Sequence, residues 1–512
     1  MTLIGLDVGT TGCKAAVFTS KGELLSLGYR EYSHYSPKPG WVELNPEEVW
    51  IKLREALRNA LKGVPEEPQA LGISSLGEAV LPIDEDGNPL YPAITAYDQR
   101  GETYKDSIEI LRRELGDLQL FKLTGIPLNS MPSINKIMWI KGNMPDVYEK
   151  TWKFVCVEDY IIYKLTGKAA IDYNLASRTM MFDIHKKRWC DTILEVIGIT
   201  GDLLSEPVPS GTIVGEVSSE ASGETGLPRG LGVAPGGHDQ ACSALGVGVA
   251  EEGPTMDAAG SVECIASAME KPILTEHMLR AGHCCHCHTV EGRYISLGFF
   301  PSSGLILRWF RDQFASKEKG EAELSGVDVY DLLVDLASKS PPGASKTLML
   351  PHFSGGGTGP QPVLNRNSRG AFIGLTPFHS RGDIVRAILE GVAYELKVLI
   401  DYFEASGIKV SELRAVGGGA KSDFWLQLKA DITGKRICLP EVTEATSLGA
   451  AILAGIGADI YSDYKGAIEE TYRPRKIYEP NPSLNERYSQ LYKVYKMIYP
   501  ALVDIYEKLA SI

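Results

Sequence analysis

A carboxylate set between a glycine pair and a run of small residues can approach a ligand with nothing bulky in the way. Asp239, in Gly236–Gly246 (GGHDQACSALG), is such a carboxylate. Against a hydroxyl it is suited to take the proton as the oxygen attacks a phosphorus atom. An aspartate here also reads as the cap of a helix over Gln240–Leu245, and the stretch alone leaves both readings open. Other glycine-rich stretches bear on the choice. Leu3–Phe18 (LIGLDVGTTGCKAAVF) reads as strand, tight turn, strand, the turn being Gly9, Thr10, Thr11 and Gly12. Its amides and hydroxyls can cradle a phosphate, with Asp7 just before it to hold a magnesium ion; an ordinary hairpin turn that happens to carry threonines is the alternative. Thr255–Ala268 repeats the pattern, with Asp257, Gly260 and Ser261 in the places of Asp7, Gly9 and Thr10. Leu413–Val416 runs into Gly417, Gly418, Gly419 and Ala420, and Ser422 or Asp423 caps a helix through Ala430. Strand, glycine turn and helix N-terminus is how backbone comes close to a nucleotide, although a tight packing turn looks the same.

The elements between these stretches must bring them together. Lys21-Gly22-Glu23 turns the chain into a strand over Leu24–Tyr29. Asn45-Pro46-Glu47-Glu48 opens a helix with a capping residue and a proline at its first position, and Val49, Trp50, Leu53, Leu57, Ala60 and Leu61 give it one apolar face to lay on a sheet. Ala70–Ser74 and Leu81–Asp84 read as strands, the first leading to Gly77 and Glu78; Pro92–Arg100 reads as a loop carrying Asp98. Ile134–Gly142 and Glu158–Leu165 read as helices. Later, Leu348–Phe353 is a buried strand, Ser354–Pro362 a flexible loop, Asp383–Ser406 a long helix with one apolar stripe, and Thr446–Gly455 a small-residue helix able to pack hard against a neighbour. The chain then ends in one or two closing helices. Strand, strand, strand, helix, strand is the order of the ribonuclease H-like unit. Its first hairpin recurs about 250 residues on, which implies two such α/β lobes, of actin/hexokinase type, with a cleft between them. The boundary falls near residue 247, giving lobes 1–247 and 248–512.

Composition narrows the function. The 512 residues exceed one core, and 44% hydrophobic with 23% charged residues is the balance of a folded globular chain. A net charge of -13 argues against a nucleic-acid binder, which needs surplus lysine and arginine, but leaves room for a phosphorylated small molecule held by backbone amides and one lysine. No apolar run is long enough to span a bilayer and the N-terminus lacks a signal pattern, so a cytoplasmic protein is expected. Nine cysteines without framework spacing fit reduced thiols there. Within Ala281–His288 (AGHCCHCH), Cys284, His286 and His288 would share one strand face as metal ligands; with no fourth ligand nearby, a core strand paired with Tyr294–Phe299 is the better reading.

Taken together, the motifs resemble the FGGY carbohydrate kinases over nearly the whole chain. The match is carried by GLDVGTTGCKAAVF, by Met131–Trp139 with Lys136 and Trp139, by GGHDQA around Asp239, by RGAFIGLT at Arg369–Thr376, by RAILEGVAYEL at Arg386–Leu396 and by GGGAKSDFWLQLKADITG at Gly417–Gly434. The resemblance implies transfer of the γ-phosphoryl group of ATP, with Mg2+, to a hydroxyl of a small sugar or polyol. By position it makes Asp239 the general base and Asp7 the residue that holds magnesium through water. It sets Thr10, Thr11, Gly260 and Ser261 at the phosphates, with Gly304 near the ribose or phosphates. Gly418, Gly419, Ala420 and Asp423 line the adenosine site, and Glu78, Asp98 and Gln240 face the sugar. Dimers are common among such relatives, so a homodimer is implied by analogy alone.

The acceptor is where this chain departs from the pattern. Xylulokinases carry Met-His-Gly at Leu76-Gly77-Glu78, an asparagine at Gln240 and an SGERTP loop at Ser354–Thr358. Glycerol kinase shares the glutamate and glutamine but has an arginine at Gly77; without it the site is expected to be larger and to lack a donor. A ketopentose such as xylulose is the expected acceptor, with a polyol or another ketose as the close alternative. From a different class, an actin-like ATPase or a sugar sensor would share the architecture without a carboxylate base beside Glu78 and Gln240.

Overall fold

A computed structural model describes residues 1–100, 105–356 and 365–512. The first lobe is built on β1 (Thr2–Val8), β2 (Gly12–Thr19), β3 (Leu24–Glu31), β4 (Pro68–Ser75) and β5 (Gly232–His238), in the order β5-β4-β1-β2-β3, with the short strand Gly215–Glu216 outside β5. β1 runs antiparallel to β2 with Asp7 opposite Lys14, and parallel to β4. Apolar β1 is buried throughout except at Asp7, as expected of a strand with both faces covered. α1 (Pro46–Ala60) covers one face, its N-terminus capped by Asn45, whose side chain accepts from the amides of Glu47 and Glu48.

The second lobe repeats the plan with β6 (Gly253–Ala259), β7 (Glu263–Met269), β8 (Tyr294–Phe300), β9 (Val410–Val416) and β10 (Arg436–Pro440), in the order β8-β7-β6-β9-β10. β6 is antiparallel to β7 and parallel to β9, the relations of β1 to β2 and β4. His286–Cys287 extends this sheet beyond β8, and Pro474–Tyr478 beyond β10. The fold is thus the expected two-lobed actin-like α/β architecture, with two mixed sheets.

The lobes are not separable strings of chain. Between β8 and β9 runs the long helix α6 (Arg381–Ala405), whereas α8 (Ala445–Gly457), also from the second half, lies on the first sheet. A Cβ on Gly5 would fall 1.7 Å from the carbonyl oxygen of Ser447, and one on Gly449 would fall 1.9 Å from that of Cys242. Only glycine permits so close an approach, so the small-residue helix does pack hard, and its targets are the first lobe's central strands and the helix Asp239–Gly246.

Two differences from the sequence reading are local. Val80–Ile83, Ala93–Ile94 and Lys153–Cys156 belong to a separate five-stranded sheet, so Pro92–Arg100 is not simply a loop. The C-terminal region contains three helices, Tyr464–Thr471, Pro482–Tyr495 and Ile498–Ala510, and the edge strand already named. Of the expected loop Ser354–Pro362, residues 357–364 lie outside the described residues. No helix among the described residues is long and apolar enough to cross a membrane.

Candidate active site

β5 ends at His238 and α4 (Asp239–Gly246) begins at Asp239. His238 takes the capping position, so Asp239 is the first helical residue and not the cap. The three amides before it are held by side chains of neighbouring elements. Glu158, on α2 (Val157–Thr166), accepts from Gly236 N at 3.0 Å and Gly237 N at 2.6 Å. Asn174, on α3 (Tyr173–Arg178), accepts from His238 N at 3.0 Å and donates to Cys287 O at 2.6 Å. Gly237 has φ +127°, which disfavours any side chain, and a Cβ there would meet Thr289, Asn174 and Asp172. The turn that aims Asp239 is therefore held by first-lobe side chains, one of which, Asn174, is itself anchored on Cys287 of the second lobe.

Burial keeps Glu158 well above the usual carboxylate range, with the charges of Asp172 and Asp159 adding to the effect. A protonated Glu158 still accepts at one oxygen, so Glu158→Gln is expected to keep near-normal turnover. Glu158→Ala strands two buried amides, at about 1–3 kcal/mol each, and is expected to lower kcat about tenfold. Turnover of the two variants, measured side by side, checks this; equal turnover would remove the clamp from the account.

Asp239 is itself perturbed. Burial pushes its carboxyl up to about 7, the charge of Asp7 adds to the rise, and the Arg178 guanidinium opposes it. His238 Nε2 lies 3.1 Å from Asp239 Oδ1. Burial, with Arg178 and His286 beside it, drives the His238 pKa far down, so its imidazole is neutral near pH 7. Apart from that ring nitrogen, which is not aligned for a hydrogen bond, Asp239 Oδ1 has no partner among the described residues, and Gln240 Oε1 has none. Such orphaned buried acceptors are uncommon unless a ligand completes them.

The acceptor side is organised around Glu78. It sits at φ +58°, a left-handed conformation that costs a side-chain-bearing residue of order 1 kcal/mol. Its carbonyl is held at 3.1 Å by both Ser133 Oγ and the buried ammonium of Lys136. Its carboxylate is paired with Arg178, which also lies 3.1 Å from His286 Nε2 in the second lobe. Sequence reasoning missed Arg178. Its position at the end of a short helix gives no chemical signal, and only the fold brings it to Glu78.

Arg178 also corrects the expectation for Gly77. A Cβ on Gly77 would meet Arg178 Nε and His238 Cδ2, each at 2.7 Å, so an arginine from elsewhere in the chain fills the space and supplies a donor. Asp98 needs a second correction. Its carboxylate is fully buried, accepts from Val42 N and is paired with Arg100, so it does not face an acceptor. Arg100 lies 3.7 Å from the centre of the Trp41 ring and 4.8 Å from that of Trp139, the two rings meeting edge to face, and it also pairs with Glu43. Asp98 thus builds the wall. Its neighbour Tyr97 is exposed, within electrostatic reach of Asp239 and Glu78, and the more suitable of the two to meet a ligand.

On the other side of Asp239, a cavity of about 460 Å³ is lined by Asp7, Gly9, Thr10, Thr11, Gly12, Lys14, Leu27 and Tyr29. Burial lifts the Asp7 pKa to about 6 despite Lys14, whose ammonium is 2.7 Å from Glu444. The charge of Asp7 thus reaches Asp239, while the cavity's lysine is engaged by a third carboxylate, Glu444. That donor set fits a hard divalent cation such as magnesium.

In the second lobe, Ser303 N and Gly304 N donate to the carbonyls of Ser261 and Gly260, each at 2.9 Å, starting α5 (Gly304–Phe314) on the repeated hairpin turn. Arg308 on that helix lies 3.4 Å from Ser261 Oγ. Gly418, Gly419 and Ala420 form a single 3-10 turn before α7 (Asp423–Thr433), which Ser422 caps. The Asp423 carboxylate is taken by Lys476 and Tyr478, so the turn offers a nucleotide mainly its backbone. The Cys/His stretch separates. Cys284 Sγ points to Leu297 O, His286 to Arg178 and His288 to Val249 O. Among the described residues there is no cluster of metal-binding side chains.

Two matching family models define the class: residues 2–246 match the N-terminal domain, and residues 259–458 the C-terminal domain, of the FGGY family of carbohydrate kinases. The chain belongs to this family. It is 31% identical over 511 residues to the gluconokinase of Bacillus licheniformis, covering 99% of this chain and 98% of that one. It is 31% identical over 488 residues to the glycerol kinase of Thermococcus gammatolerans, covering 93% of each. A ligand-bound xylulose kinase from Lactobacillus acidophilus has the same fold, with a TM-score of 0.88 at 23% identity over 99% of each chain.

Proposed function

We propose that the chain transfers the γ-phosphoryl group of ATP to a hydroxyl of a small neutral sugar, a ketopentose such as xylulose, with Asp239 as general base. The observation that carries this is a largely buried carboxylate, raised to about 7, that feels both the Glu78–Arg178 pair and Asp7 of the Thr10–Thr11 cavity. A base matched to neutral pH removes the hydroxyl proton while the oxygen attacks, and the fixed turn before it holds the attack in line. In this reading Glu78, Gln240 and Tyr97 orient the sugar, while Thr10, Thr11, Lys14, Gly260, Ser261 and Gly304 hold the phosphates. Gly418, Gly419 and Ala420 lie along the adenosine, and Asp7 holds magnesium, whose bound charge neutralises the phosphates. Closure of the lobes excludes water.

The case for a neutral acceptor is electrostatic. Arg178 is paired with Glu78, Lys14 with Glu444, and the Lys136 ammonium with the Glu78 and Met131 carbonyls, so a sugar carboxylate would approach Asp239 and Asp7 with those cations already engaged. Gluconate is the second reading, favoured by the gluconokinase relative and by Arg178 Nε, which has no hydrogen-bond partner among the described residues.

ADP release with Mg-ATP across ketopentoses, ketohexoses, glycerol, erythritol, pentitols and gluconate decides between them. Xylulose or another ketopentose as the strongest acceptor supports the proposal, gluconate replaces it with the second reading, and no acceptor above basal ATPase overturns both. With the accepted sugar, kcat/KM is expected to fall tenfold per pH unit below about 7, because only ionised Asp239 accepts the proton. A profile flat down to pH 5 would exclude Asp239 as the base.

A further inference from the structure

The second lobe buries a group of charges that the transfer step does not use. Lys429, on α7, is paired with Asp257 at 2.8 Å and with Glu263, all three side chains at most 1% exposed. The other Glu263 oxygen accepts from Ser303 Oγ, and the Lys429 ammonium lies 5.0 Å from the centre of the Trp425 ring. Asp257 Oδ1 has no hydrogen-bond partner among the described residues. Burial and the neighbouring Asp257 charge push the Glu263 carboxyl up to about 8.

Its connections point to what it does. Asp257 and Glu263 lie on β6 and β7, on either side of the Gly260–Ser261 turn. Ser303 immediately precedes α5, whose first amide bonds to the Gly260 carbonyl. Lys429 lies on the helix that follows the Gly417–Lys421 turn, and that turn is seated on β6: a Cβ on Gly419 would fall 2.6 Å from Ala259 Cβ and 2.9 Å from the Trp425 ring. The three segments assigned to the nucleotide thus meet at one buried ammonium.

We propose that Lys429 is a positioning residue for the nucleotide, holding the phosphate-side turn, the start of α5 and the adenosine-side turn in fixed register through Asp257, Glu263 and Ser303. This rests on the reading of those turns as the ATP site. Lys429 touches no ligand itself. It acts by keeping the distance between two backbone cradles constant, so that a nucleotide binds without ordering them.

Lys429→Met alone leaves two buried carboxylates without their cation, a change expected to unfold the lobe. The informative variants are therefore Glu263→Gln, which keeps the Lys429–Asp257 pair, and the charge-free triple variant Asp257→Asn/Glu263→Gln/Lys429→Met. Binding of Mg2+ with a non-hydrolysable ATP analogue is measured by calorimetry, alongside melting temperature. The expected result is a Kd raised about threefold in Glu263→Gln and about tenfold in the triple variant, with acceptor KM within twofold of the parent. Kd within twofold of the parent in both folded variants would overturn the proposal.

Gly304→Leu separates that failure from failure of the underlying reading. A Cβ at Gly304 would lie 2.6 Å from the Gly260 carbonyl oxygen, so a side chain there disturbs the turn directly. If it weakens analogue binding while the triple variant does not, only the positioning role is lost. If neither weakens binding, the nucleotide site lies elsewhere.

Discussion

Asp239→Asn is expected to lower phosphoryl transfer about 10³-fold, while the Kd for Mg-ATP and that for the sugar stay within about threefold. The amide nearly matches the carboxylate in size, so α4 and the turn before it, fixed by Glu158 and Asn174, need not move. What is lost is the proton acceptor. At pH 7 the unionised hydroxyl would then attack without a base, and its proton would have nowhere to go as the new bond forms. The acid limb of the pH profile should vanish with the base, leaving residual activity that does not rise through about 7. Rates and binding constants for the variant, taken from pH 5 to 8.5, test both parts. Turnover within tenfold of the parent would move the proton to another group. The neutral His238 is the nearest candidate, and Asp239→Asn/His238→Gln would then expose it.

The doubling of the fold was legible because each lobe begins with the same local grammar: an apolar strand, an aspartate, a glycine turn and a second strand. Local rules also placed Asn45, Gly167 and Ser422 at helix ends, where the structure has them. The second aspartate shows where that reading stops. Asp257 repeats Asp7 in strand position, yet it is consumed by Lys429, whereas Asp7 lines the cavity. Backbone grammar repeats; the fate of a side chain depends on what the other elements bring. Asp98 was misjudged for the same reason, since Arg100 is two residues away but Trp41 and Trp139, which hold the arginine, are distant in sequence. Arg178 and the Glu158 clamp were invisible because a buried ion pair or amide clamp has no periodicity and no fixed spacing. The acceptor pocket is walled by such long-range pairs, Glu78–Arg178 among them, and there the sequence left the substrate open.

Arg178→Met is expected to be the second most damaging single change in the site, with kcat/KM for the sugar down about 10²-fold. Arg178 pairs with Glu78, approaches His286 and lowers the pKa of Asp239, so removing it acts in three places. Glu78 loses its partner while its backbone stays in a left-handed conformation held by Lys136 and Ser133, so the carboxylate has little freedom to reach water. Breaking a buried pair in this way costs about 3–5 kcal/mol, and the melting temperature should fall accordingly. The sign of the pH effect separates this from mere destabilisation. Arg178 opposes the burial that raises Asp239, so without it the Asp239 pKa rises further and the acid limb of kcat/KM moves to higher pH. Part of the loss at pH 7 should therefore be recovered at pH 8.5, in a variant that is still folded there. Arg178→Lys, which keeps a charge near Glu78 without the planar fork, should hold the limb near its original pH while acceptor KM stays high. A limb that does not move in Arg178→Met would mean that the guanidinium acts on the sugar alone, and the electrostatic link from Glu78 through Arg178 to the base would be withdrawn.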